Sequence, residues 1–207
     1  MGSPTETPRR YHHGDLRDAL LRRAEEVLSA DGADALSLRG IARDVGVSHA
    51  APRRHFADKQ ALLDALAEVG YARLGRELDA AIADGDATEG RPFLDRLVAL
   101  ARAYVGFAVR DAELLELMFA GKHRPGASEA LIDAGRRAFA APLALIAAGQ
   151  ATGEVVAGDV ERVSTAGWAG IHGLATMANA GLVDVAALPD LLPEVVERLV
   201  LGLRPRP

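Results

Sequence analysis

The sequence contains no cysteine. Disulfides, thiolate nucleophiles and cysteine-ligated zinc are thereby excluded, and a reducing, cytoplasmic location is expected. Aromatic residues are few, with one Trp, three Tyr and five Phe, and Thr and Ile are sparse as well. Ala and Leu dominate instead, a bias that favours helices over strands. Residues 164–183 lack Asp, Glu, Lys and Arg, but they carry Thr165, His172, Thr176 and Asn179 among many Gly and Ala. Such a segment suits a tightly packed buried helix rather than a bilayer span, so no membrane association is expected. The opening "MGSPTETPRRYHHGD" has no apolar run of the kind a secretory signal needs.

What is present fits a folded chain. Of 207 residues, 49% are hydrophobic and 26% charged, enough for one large domain or two small ones. The net charge of −5 argues against a polyanion partner until its distribution is considered. The first sixty residues hold ten Lys/Arg against nine Asp/Glu, whereas the remainder holds fourteen against twenty. His12, His13, His49 and His55, four of the six histidines, also lie in that first part. It is the one region suited to nucleic acid.

Periodicity and caps predict helices throughout. Residues 1–13, rich in Pro, Thr and Arg, read as a flexible arm. Asp15 caps a first helix with Leu16, Leu20, Ala24, Val27 and Leu28 at helical spacing, ended by "ADGADA". Ser37 caps a short second helix with Leu38, Ile41, Ala42 and Val45 on one face, and Gly46 stops it. Ser48 caps a third through Phe56. Asp58 caps a long fourth, with Leu62, Leu63, Leu66, Val69, Gly70, Leu74 and Leu78 inward, ending near "DGDATEG". Further helices are predicted at 91–110, 111–121, 127–152, 159–182 and 189–203, separated by turn-like "KHRPGAS", "TGEVVAG" and "VDVAALP". The expected fold is all-α with about nine helices: a head over 14–60 and a larger helical domain over 61–207.

Helix, glycine turn and helix across residues 38–56 is the arrangement of a helix-turn-helix. Ala42 is small where the helices approach, Val47 plugs the angle between them, and Pro52 and Phe56 continue the inward stripe. His49, Ala50, Arg53 and Arg54 are left on outward or flanking positions, where a short helix would enter the major groove of DNA. Ser48, Arg53 and Arg54 are placed to hold phosphates. An ordinary helical hairpin with solvated charges satisfies the same spacing.

"SLRGIARDVGVSHAAPRRHFADKQALLDAL" resembles the DNA-binding signature of the TetR/AcrR transcriptional repressors, and the likeness begins at "YHHGDLRDALLRRA". It implies a homodimer whose three-helix reading heads bind a palindromic DNA operator and whose larger helical domains bind a small effector. By position, Arg39, His49 and Ala50 correspond to base contacts, and Ser37, Ser48, Arg53, His55 and Lys59 to backbone contacts. Arg53 stands where the family usually has tyrosine, exchanging a neutral hydroxyl for a charged fork. Arg9 and Arg10 suit a minor-groove arm or a solubilising tail. His12 and His13 have no carboxylate at chelating spacing, so no metal is expected.

Beyond residue 67 no catalytic motif occurs, and neither enzyme activity nor a cofactor is expected. The alternatives are a helical enzyme fused to a reading head and a DNA-binding protein without effector. "AGWAGIHGLATMANAG" resembles a TetR subgroup with Trp, three residues, then His-Gly, here Trp168, His172 and Gly173. Trp168 and His172 share a helix face as either a core pair or a pocket wall. Tyr104, Phe107, Met118, Phe119 and Phe139 are the other candidate pocket residues. Leu192, Val195, Val196, Leu199 and Leu203 form an apolar face on the last helix, and Ala166, Gly170 and Gly173 permit close approach on the one before it. The resemblance makes these two helices the dimer interface.

Overall fold

The computed structural model describes residues 13–86 and 93–203, and their side chains over 16–83 and 93–202. The predicted arm with Arg9, Arg10 and His12, and the side chains of His13, Asp15 and Leu203, lie outside that description. Among the described residues nine α-helices and two 3-10 turns form, and no strand does. The chain divides into two compact units between Leu66 and Ala67.

The first unit is built from α1 (His13–Ala35), α2 (Leu38–Val45) and the opening turns of α3 (Lys59–Asp86). Leu20, Ala24 and Leu28 recur every fourth residue along α1 and are buried with Leu36, Ile41, Ala42, Phe56 and Leu62. Gly32, at φ 78°, breaks α1 before its last residues. Ser37 is extended and its hydroxyl accepts from the Gly40 N–H at 3.1 Å, the cap the sequence predicts. Gly46 closes α2 at φ 76°, and the Val47 N–H reaches the Ala42 carbonyl at 2.9 Å. The Asp58 carboxylate takes the Ala61 N–H at 2.8 Å and starts α3.

The third helix predicted over residues 48–56 does not form. A turn at 48–51 leads into a 3-10 turn, Pro52–Arg54. Pro52 has no N–H with which to close an α-turn on the Ser48 carbonyl, which accepts from Ala51 at 2.9 Å instead. The tighter pattern continues as Arg54 donates to Ala51 and His55 to Pro52. Pro52 and Phe56 are nonetheless both buried, as their four-residue spacing predicts.

In the second unit α4 (Phe93–Arg110) packs on α8 (Val160–Asn179) and α9 (Leu188–Leu203). The Asn179 side-chain amide ties α8 to the Ala108 carbonyl at 3.0 Å. The helix predicted over 127–152 is two: α6 (Glu129–Ala138) and α7 (Ala140–Thr152), with Phe139 between them at φ −102°, ψ 9°. Pro142 accounts for the break, because it cannot donate to the Ala138 carbonyl and its ring would collide with it. α5 (Ala112–His123) crosses to α6, and the end of α3 carries Tyr71, Leu74 and Leu78 into this core. No helix among the described residues is long and apolar enough to cross a membrane.

Candidate nucleic-acid interface and aromatic cluster

The reading head presents one cationic edge. Arg39, Ser48, His49, Ala50, Arg53 and Arg54 are exposed, and His55 and Lys59 are half-buried. Ser37, Arg39, Gly40, Arg43 and His49 line an open groove of about 590 Å³ together with Arg23, Asp31 and Asp44 of the same unit. Of the arginines here, two have acid partners. Arg23 donates to Asp44 at 3.0 Å and to Glu26 at 2.8 Å, and Arg43 reaches Asp44 at 3.3 Å. The Arg23 hydrogen bond, with Arg43 assisting, holds the Asp44 carboxyl below the usual range, and the two acids raise Arg23 in return. Arg39, Arg53 and Arg54 have no carboxylate partner among the described residues. Their charge is therefore available to an external anion.

Two residues predicted to touch the DNA backbone have internal duties. The Lys59 ammonium donates to the Asp34 carbonyl at 3.1 Å, which leaves two of its three protons unused. The Ser37 hydroxyl oxygen is occupied by Gly40, while its proton is still available. His55 lies beside Phe56, ring centroids 6.3 Å apart, and Arg17 covers the Phe56 ring at 5.5 Å. Among the described residues no group of three or more His, Asp or Glu is placed to hold a metal.

The second unit gathers most of the predicted pocket residues. Tyr104 on α4 is fully buried, and its hydroxyl lies 2.7 Å from His172 Nδ1 on α8. Its ring meets Trp168 edge-on at 4.3 Å. Phe139, at the break between α6 and α7, meets Trp168 from another side at 4.6 Å. Phe119 on α5 lies 5.4 Å from His172, and the Trp168 and His172 rings are parallel to within 9° at 6.0 Å. Trp168, His172, Phe119 and Phe139 are all half-buried.

Tyr71 on α3 also joins the cluster. It is edge-on to Phe119 at 6.4 Å, and its hydroxyl donates to the Met118 carbonyl at 3.0 Å. Its spacing of three and seven from Leu74 and Leu78 is that of an inward α3 position, set among residues that are otherwise aliphatic. Burial pushes both tyrosine hydroxyls well above the ordinary phenol range, with Tyr71 adding to the effect at Tyr104. Met118 is fully buried against α3, where a Cβ on Gly70 would come within 2.6 Å of its sulfur. Phe107 is buried beneath the Arg110 guanidinium at 5.5 Å and has no described ring contact with the cluster.

The predicted interface residues separate into two groups. Leu192 and Val196 are each only 2% exposed within the single chain, so they belong to its own core and not to an outer face. Gly170 is likewise used internally, because a Cβ there would lie 2.8 Å from the Leu199 methyls of α9. Val195 is half-buried. The opposite side of α8 is open: Thr165, Ala166, Ala169, Thr176 and Met177 are exposed, and a Cβ on Gly173 would meet nothing within 4 Å. That face is uncharged along residues 165–177.

Comparison with known proteins agrees with both units. Residues 97–203 match the family described as tetracyclin repressor-like, C-terminal domain, and residues 20–66 match bacterial regulatory proteins, tetR family. The HTH-type transcriptional regulator Rv1816 of Mycobacterium tuberculosis is 34% identical over 128 residues, covering 60% of this chain and 53% of that one. The chain thus spans about half the length of the curated relatives it matches. A solved protein of unknown function from Rhodococcus sp. RHA1 is 43% identical, covers 95% of this chain and all of its own, and superposes with a TM-score of 0.85. A TetR family transcription regulator from Marinobacter aquaeolei VT8 shares the fold at 18% identity and a TM-score of 0.71, covering 92% and 96% of the two chains. With a DNA-reading head and a helical partner domain both matched, the chain belongs to the tetR family of bacterial transcriptional regulators.

Proposed function

We propose that this regulator is a repressor that binds a palindromic operator as a homodimer in the cytoplasm and releases it when a small molecule occupies its second unit. The observation that carries this reading is the pairing of two features within one chain. Arg39, Arg53 and Arg54 stand exposed without described acid partners on the head, and a cluster of half-buried rings surrounds a part-buried Tyr104–His172 hydrogen bond in the other unit. Unpaired cations at a turn bind phosphates, while His49, Ala50 and Arg39 read base edges. A partly open aromatic cluster with one polar pair is what a small-molecule site requires. The Trp168, His172 and Gly173 spacing supports assigning the chain to the Trp-x3-His-Gly subgroup.

In this reading the exposed, uncharged face of α8 meets its counterpart on a second copy and sets two heads about one helical turn of DNA apart. The effector acts only through its differential affinity for the DNA-bound and released conformations. A mobility shift with the DNA upstream of the chain's own gene tests the reading. Sequence-selective retardation that weakens as salt rises is expected; equal retardation of unrelated DNA would replace the repressor by a non-specific architectural binder.

A further inference from the structure

Arg43, in the last turn of α2, is a cation that the fold of the head does not need. It is exposed, its side chain keeping 76% of its accessible surface, and it lines the groove of the head with Ser37, Arg39 and His49. Its one described acid partner is Asp44, the next residue, at 3.3 Å. That carboxylate is already bound twice by Arg23, through Nε at 3.1 Å and a second nitrogen at 3.0 Å. Arg23 is also the main cause of the lowered Asp44 carboxyl, and Arg43 is a lesser one. Asp44 thus keeps its clasp on α1 if Arg43 turns away, and an exposed pair of this kind returns little to either partner.

Arg43 has an unfavourable neighbour as well. Arg39 lies four residues before it on the same face of α2, and like charges at that spacing repel. Arg39 has no carboxylate partner among the described residues. Two cations on one wall of a groove are relieved by an anion between them. Two carboxylates also line the groove: Asp44, engaged by Arg23, and Asp31, which lies on the α1 wall. An anion is therefore turned toward the α2 wall.

The groove, of about 590 Å³, has room for more than a point ion. Ser37, whose hydroxyl proton is unused, begins α2, and Arg43 follows six residues later, a rise of about 9 Å. That length covers two to three nucleotides of one DNA strand at about 3.4 Å of axis each. A strand lying along this wall meets Ser37, Arg39 and Arg43 in turn.

We propose that Arg43 is a further DNA contact, exchanging Asp44 for a backbone phosphate when a strand meets the α2 wall of the groove. The assignment rests on DNA binding by the head and is independent of the operator sequence and of any effector. Asp44 stays with Arg23, so the exchange leaves α1 and α2 clasped.

Arg43→Gln removes the charge and keeps a good helix former. Binding by the full chain is titrated across salt concentrations on two duplexes, the DNA upstream of its own gene and an unrelated sequence of equal length. The dependence of log K on log salt should flatten by about 0.9 per reading head on both, an affinity loss of about eightfold at 0.1 M salt that fades towards 1 M. The melting temperature should stay within about 2 °C of the parent. Arg43→Lys should recover the slope, because a phosphate accepts a point charge. Arg22→Gln removes an exposed charge of α1 that does not line the groove, and should leave the slope as it is. An unchanged slope in Arg43→Gln, or an equal fall in Arg22→Gln, would overturn the proposal. A loss confined to the upstream duplex and not recovered by lysine would replace the phosphate contact by base readout. A lower melting temperature with an unchanged slope would make the Asp44 pair structural. Failure of the parent chain to bind either duplex would remove the reading head and this contact together.

Discussion

Arg53 carries the difference between this head and the tyrosine usual at that place. It is exposed, sits in the 3-10 turn and has no described acid partner, so its full charge faces whatever binds there. A phosphate held by Arg53 releases one counterion on binding. Arg53→Tyr should thus flatten the dependence of log K on log salt by up to about 0.9 per reading head. Titrations at several salt concentrations measure the slope; an unchanged slope with an altered base preference would move Arg53 from phosphate to base contact. Asp44 acts inside the head instead, clasping α2 to Arg23 of α1. Its folded pKa is depressed, so its contribution is present above the ordinary carboxylate range and is lost as the pH falls through the folded value. Asp44→Asn should lower the melting temperature at pH 7, and the gap to the parent should begin to narrow below about pH 4 and close only once the pH is under the depressed folded value. Thermal melts at both pH values check the sign, and a constant gap would show that packing rather than charge holds the clasp.

Among the elements, the recognition segment departs most from expectation. Its caps and apolar stripe describe an α-helix over residues 48–56, but Pro52 withholds the N–H that would bond Ser48. Pro52→Ala supplies that donor. The 48–56 backbone should then pass from 3-10 to α-helix, and amide exchange at residues 52–56 of the full chain should slow, with operator affinity changing as the bases meet a differently pitched helix. Unchanged exchange would mean that burial of Phe56, not the proline, fixes the tight turn. The same residue type explains the other missed boundary, where Pro142 divides α6 from α7 at Phe139. Caps that act on their own neighbours were legible: Ser37, Gly46 and Asp58 all do what their positions predict. The proline effects were harder to read because each acts on a carbonyl four residues upstream, inside an otherwise regular apolar pattern. Tyr71 escaped for a related reason, since it resembles any core position of α3 until α5 brings Met118 and Phe119 against it.

At the scale of the whole molecule, the open side of α8 raises the question of what covers it. The family resemblance implied that α8 and α9 together form the dimer interface, but a single chain already consumes Leu192, Val196 and the Gly170–Leu199 contact. What is left is a strip of small, uncharged residues from Thr165 to Met177, and Gly173 lies within it. In the dimer reading this strip lets two α8 helices approach closely, and operator affinity depends on both heads binding at once. Gly173→Arg tests this with little risk to the fold, because a Cβ there meets nothing and arginine is a better helix former than glycine. Light scattering should then report a mass near 21.8 kDa where the parent gives twice that value. Affinity for the full palindrome should fall by about 10²- to 10⁴-fold, the gain that a second tethered head supplies. Affinity for an isolated half-site should hold or rise slightly, since the added charge favours DNA. A variant that stays dimeric and keeps full operator affinity would exclude α8 as the subunit contact.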